Sequence, residues 1–102
     1  MSAINLTETN FKQEVLDFNG TVLVDFWAPW CMPCRMLGPI IEQVAEEMTQ
    51  IKVAKVNVDE AQALAMQYQV MNIPTLLVFK NGALVKRSVG VISKEDIVEL
   101  VQ

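Results

Sequence analysis

Two cysteines stand three positions apart in Trp30-Cys31-Met32-Pro33-Cys34, and the chain has no others. A ring that small makes a weak structural staple, because the loop-closure entropy it removes is worth only about 2 kcal/mol. Structural zinc needs four ligands, and a sequence with no histidine and two cysteines offers two soft ones at most. Covalent haem attachment needs His directly after the second cysteine, where Arg35 stands. The remaining chemistry is reversible exchange between a dithiol and a disulfide.

The flanking segments explain why such a thiol would react. Thr21 to Trp27 is a dense β-branched and aromatic run that predicts a strand covered on both faces. From Cys34 to Met48 an apolar stripe of Met36, Leu37, Ile40, Ile41, Val44, Ala45 and Met48 opposes Glu42, Gln43, Glu46 and Glu47, which predicts a helix, with Pro39 kinking it. The cysteines then sit at a helix N-terminus, whose unpaired N–H groups and partial positive charge favour a thiolate. Cys31, just outside the first turn, is expected to be the exposed nucleophile and Cys34 the buried resolving thiol. Pro33 at the helix start costs no hydrogen bond and fixes φ.

Asp25 is the other candidate for chemistry. Strand alternation places it with Leu23 and Trp27 on a face that helices should cover, and a buried carboxylate has its pKa raised. It is either a satisfied structural acid, for instance one paired with Lys55, or a proton-transfer group; these residues alone leave both open.

The chain has 102 residues, room for one domain, and with 52% hydrophobic and 20% charged residues it is not a disordered segment. Eight basic against twelve acidic residues give a net charge of −4 with no basic stripe, so nucleic acid is a poor partner. The longest uncharged stretch, Ala61 to Phe79, contains three glutamines, Asn72 and Pro74, which excludes a membrane helix. The N-terminus has no basic n-region and no apolar h-region, so a cytoplasmic protein with reduced thiols is expected.

The rest of the chain reads as alternating elements. A short strand at Ile4 to Leu6 precedes a helix opened by Asn10 and Gln13 and carrying Phe11, Val15 and Phe18. Alternation through Ala54, Val56 and Val58 predicts a strand ending at Asp59, which can cap a helix bearing Ala61, Leu64, Ala65 and Tyr68. Thr75 to Phe79 and Leu84 to Val89 flank Asn81-Gly82, a hairpin signal, and Ser93 with Asp96 opens a last helix with Ile97, Leu100 and Val101. The order β-α-β-α-β-α-β-β-α predicts an α/β fold with a central mixed sheet, parallel in its first part and closed by an antiparallel hairpin. Lys86-Arg87 and the Glu42 to Glu47 face are expected to be solvated.

Val24-Asp25-Phe26-Trp27-Ala28-Pro29-Trp30-Cys31-Met32-Pro33-Cys34 resembles the active-site signature of the thioredoxin family. The similarity extends over the chain, through Lys55, Ile73-Pro74-Thr75, Asn81-Gly82 and Gly90. It implies a thioredoxin fold with helices on both sheet faces, and a general protein-disulfide reductase acting in electron transport and redox homeostasis. Cys31 would attack a substrate disulfide, and Cys34, deprotonated with help from Asp25, would resolve the mixed disulfide. The resemblance also implies a cis Ile73-Pro74 bond beside the dithiol, recharging of a monomer by a thioredoxin reductase, and no cofactor or metal in the chain. The substrate surface would be an apolar collar of Trp30, Met32, Ile73, Pro74, Gly90 and Val91, with Met32, Pro33 and Lys55 tuning the couple. Met32 stands where the family usually has Gly, and Met71-Asn72 replaces the usual pair before Ile-Pro. Two other readings are a more oxidising exchanger or isomerase tuned by Met32, and a module that only docks a partner.

Overall fold

In the computed structural model, which describes residues 2–102, five strands form one sheet in the order β1-β3-β2-β4-β5. They are β1 (Ile4–Leu6), β2 (Thr21–Trp27), β3 (Lys52–Asn57), β4 (Thr75–Lys80) and β5 (Ala83–Val89). The helices are α1 (Lys12–Leu16), α2 (Met32–Glu47), α3 (Gln62–Gln67) and α4 (Lys94–Leu100). β1, β3 and β2 run parallel; β4 runs antiparallel to β2 and to β5, so the change of direction falls inside the sheet.

The unbroken apolar run of β2 follows from burial on both sides. Val22, Val24 and Phe26 pack with Ala54, Val56, Leu77 and Phe79 against Phe11 at the start of α1, Val15 of α1 and Leu64 of α3. Leu23 points the other way, into a cluster with Val53, Leu76, Val78, Leu37 and Ile41 of α2 and Ile97 of α4. Removing a large aliphatic or aromatic side chain of this kind from water contributes roughly 1.5–3 kcal/mol. Helices therefore cover both faces, and α2 starts where β2 ends.

Several local expectations are corrected. The capping box expected of Asn10 and Gln13 is not made: Phe11 precedes α1 without a side-chain cap, and Asn10 instead closes the preceding turn, where Thr7 Oγ1 accepts the Asn10 N–H at 3.2 Å and Asn10 Oδ1 accepts the Thr7 N–H at 2.7 Å. That reciprocal pair satisfies two donors of the turn leading into α1, and Gln13 stays exposed. The helix then closes with an i→i−5 bond from Asp17 N–H to the Lys12 carbonyl. Asp59 does not cap α3; the Ala63 N–H is met by Glu8 Oε2, from the segment after β1, at 3.1 Å. Helix α2 begins at Met32, two residues before Cys34, and runs through Pro39 to Glu47. Met36 is 61% exposed, because it lies at the edge of the stripe where no element covers it, whereas Met48 packs on the core as expected. Lys86 and Arg87 are exposed as expected, Arg87 donating to the carbonyls of Tyr68 and Gln69.

The β4–β5 hairpin turns at Asn81 (φ 52°) and Gly82 (φ 83°), as a two-residue turn with both central φ values positive requires. Asn81 also clasps the start of β2, donating its N–H to the Gly20 carbonyl and accepting the Gly20 N–H on Oδ1, both at 2.9 Å. A Cβ at Gly82 would sit 2.4 Å from the Leu16 carbonyl oxygen. Gly82→Ala is therefore expected to destabilise the fold by about 1–3 kcal/mol, through positive φ and that backbone clash. A shift of the urea midpoint at unchanged slope measures it, and an unshifted midpoint would contradict the assignment.

Candidate active site

The parallel pairing of β2 with β3 ends at Trp27 opposite Asn57, so the residues just beyond both strands meet at one edge of the sheet. Cys31 is the N-cap of α2 in extended conformation (φ −90°, ψ 111°), and its sulfur accepts the Cys34 N–H at 3.2 Å. The two cysteines are joined by a disulfide with their Cα atoms 5.2 Å apart. Pro33 lies in the first helical turn and is exposed, where its missing N–H leaves no helix bond broken.

The expected contrast between an exposed Cys31 and a buried Cys34 is absent in the disulfide form: the residues are 5% and 3% exposed. Cys31 Sγ lies against the first turn of α2, and Trp27, Val58 and Ile73 pack against the cysteines and Ala28. Cys31 Sγ lies 3.7 Å from the Ile73 carbonyl oxygen. The Ile73-Pro74 bond is cis, as the resemblance implied.

Asp25 is 1% exposed, and neither of its carboxylate oxygens has a hydrogen-bond partner among the described residues. Burial pushes its pKa up to about 7; Lys55 opposes that rise, and the negative charge of Glu42 adds to it. The expected alternative pairing of Asp25 with Lys55 is not made. The two are register neighbours, but Lys55 Nζ reaches Glu42 Oε2 at 3.8 Å and lies 4.7 Å from the centre of the Trp27 ring. Trp27 is correspondingly only half-buried, rather than a full core residue.

Flanking the cysteines in sequence, Trp30 is 70% and Met32 63% exposed, and Val91 is 40% exposed. Ile73 and Gly90 are half-buried, and Pro74 is buried beneath them, accepting the Gly90 N–H on its carbonyl at 2.8 Å. Trp30 is held by its indole N–H donating to Asp59 Oδ2 at 3.0 Å. A cleft of about 360 Å³ opens beside it between Val58, Met66, Met71 and Ile73. Sequence reasoning missed three features of this edge. Asp59 could have been found from the parallel register, which carries it past the end of β3 toward Trp30. Met66 gave no signal beyond its type, and Glu42 was assigned to solvent because it borders the charged face of α2.

Among the described residues no three His, Cys, Asp or Glu side chains gather as metal ligands, and no helix is long and apolar enough to cross a membrane.

The family model described as thioredoxin matches residues 2–102. Thioredoxin 1 of Nostoc sp. is 50% identical over 94 residues, covering 91% of this chain and 88% of the relative. Thioredoxin of Bacillus subtilis is 47% identical over 102 residues, covering 99% and 96%. A solved mutant thioredoxin from Halobacterium salinarum superposes with a TM-score of 0.90 at 39% identity, over 98% of this chain and 88% of that one.

Proposed function

This chain belongs to the thioredoxin family, and we propose that it works as a general protein-disulfide reductase through the residues assembled at the start of α2. The disulfide between Cys31 and Cys34 at a helix N-terminus is the observation that carries this reading. In the reduced protein the Cys31 thiolate attacks one sulfur of a substrate disulfide, forms a mixed disulfide and releases the other substrate sulfur as a thiolate. Asp25, as carboxylate, takes the Cys34 proton. The Cys34 thiolate then attacks Cys31 Sγ, the second substrate thiolate leaves, and two electrons have passed to the substrate. A buried acid titrating near neutrality suits that role, since it is part ionised at working pH and yet basic enough to accept a proton.

Substrate would dock on the rim of Trp30, Met32, Ile73, Gly90 and Val91, with Pro74 supporting it from below and the Ile73 carbonyl facing the sulfur under attack. We assign tuning of the couple to Met32, Pro33 and Lys55. A thioredoxin reductase would recharge the protein, which would act as a single-domain monomer in a reducing compartment such as the cytoplasm.

The test is brief alkylation of the reduced protein, read by mass spectrometry and followed by an insulin-disulfide reduction assay. Cys31 should label first, below the pH at which an ordinary thiol reacts, and the singly labelled protein should no longer reduce insulin. Prior labelling of Cys34 would overturn the role assignment.

Met32 is exposed in the disulfide form, so only a difference between its surroundings in the two redox states can alter the potential. A partly exposed thioether contributes on the order of 1 kcal/mol, which corresponds to a few tens of millivolts. Met32→Gly should therefore retain insulin reduction with a potential shift of at most that size. A shift above roughly 100 mV would make Met32 the determinant of the redox function.

A further inference from the structure

Lys55 stands in register with Asp25 across the parallel β2–β3 pair, yet its ammonium is engaged elsewhere, 3.8 Å from Glu42 Oε2 and 4.7 Å from the centre of the Trp27 ring. Both Asp25 oxygens are left without a hydrogen-bond partner among the described residues. Glu42 is itself held in place: its Oε1 accepts the Ala3 N–H at 3.0 Å, fastening α2 to the segment entering β1. The carboxylate thus bridges a backbone donor and the charged neighbour that the β3 register offers Asp25.

We propose that Glu42 is a positioning residue for the dithiol chemistry, holding the Lys55 ammonium off Asp25 so that the Asp25 carboxylate stays free to take the Cys34 proton. The inference rests on the assignment of Asp25 as the base for Cys34. An ammonium released from Glu42 could turn to the orphaned carboxylate, where a close opposite charge favours the ionised form and weakens it as a base. Desolvation by burial dominates the raised titration of Asp25, Lys55 counteracts it, and the field of Glu42 reinforces it. The other elements packed on this face meet it with apolar side chains: β4 with Leu76 and Val78, α4 with Ile97, and Val101 just after it. Cys34, at the start of α2, is held in the disulfide and does not titrate in this form.

Carboxyl-carbon NMR titration of Asp25 in the disulfide form tests this in four proteins: wild type, Glu42→Gln, Lys55→Gln and the double variant. Gln keeps an acceptor for the Ala3 N–H and removes only the charge, and the Glu42 side chain is 41% exposed, so the fold tolerates it. Glu42→Gln should move the Asp25 midpoint down, and the same substitution should move it much less when Lys55 is already Gln. Equal downward shifts in both backgrounds would overturn the proposal, since Glu42 would then act by its own field alone; absence of a shift would overturn it as well. The pH profile of mixed-disulfide resolution keeps the two assignments apart. If the NMR midpoint moves as expected while the rate profile stays put, Glu42 positions Lys55 and Asp25 is not the base.

Discussion

Asp25→Asn is expected to raise stability at pH 8 by about 2–4 kcal/mol and to leave it nearly unchanged at pH 4. Asp25 is buried with no hydrogen-bond partner among the described residues, and burial pushes its pKa from an ordinary 3.8 up to about 7. Below the unfolded pKa both states hold the proton and nothing is lost. As pH rises from there toward the folded pKa, the unfolded chain ionises while the native state keeps its proton, so stability falls; above about 7 the native state must bury the charge and the full penalty applies. A tenfold change in proton affinity is worth about 1.4 kcal/mol, which puts the ceiling near 4 kcal/mol, and the unpaired amide of Asn reduces the net gain. The same substitution should slow mixed-disulfide resolution by about tenfold or more at neutral pH, since the buried base is gone. Denaturant unfolding of both proteins at the two pH values decides the first part. Equal stabilities at pH 8 would mean that Asp25 is solvated or paired.

Replacing either cysteine is expected to abolish turnover, by a thousandfold or more on the order-of-magnitude scale for a lost nucleophile, with different debris in each case. Cys34→Ser keeps the attacking thiol and loses the resolving one, so it should accumulate as a stable mixed disulfide through Cys31. Cys31→Ser should neither trap substrate nor reduce it. Non-reducing electrophoresis after mixing each variant with insulin reads the result. Trapping by Cys31→Ser in place of Cys34→Ser would reverse the roles, and undiminished action by both would leave only a docking surface.

The dithiol, the strand that carries Asp25 and the Asn81-Gly82 turn were legible in the sequence because each depends on short spacings. Cysteines three positions apart, a period of two along Leu23, Asp25 and Trp27, and two positive φ values at the turn are local conditions. What was not legible depends on contacts made after helices settle on the sheet. Met36 is adjacent to buried Leu37, and a step of about 100° around the helix separates them, so only the packing decides that one is open. Lys55 could have paired with Asp25 or with Glu42, and nothing in the spacing reveals that α2 brings Glu42 within reach. Asn10-x-x-Gln13 fits a capping box, but Asn10 bonds back to Thr7 in the preceding turn and α1 starts without a side-chain cap. The edge formed by the ends of β2 and β3, where Trp30 meets Asp59, follows from the parallel register of the folded sheet and not from alternation within either strand.

Equilibration of the protein against a dithiol/disulfide buffer of known potential, with both cysteines quantified by alkylation, tests most directly whether Cys31 and Cys34 form a reversible, reducing couple. A single two-electron transition is expected, with both thiols appearing together, at a reducing potential in the region of the roughly −270 mV that is general for thioredoxins. A transition close to the strongly oxidising value of about −120 mV would contradict the reductase function and favour an oxidant or isomerase, and failure of the two thiols to interconvert with the buffer would leave the pair no redox function at all.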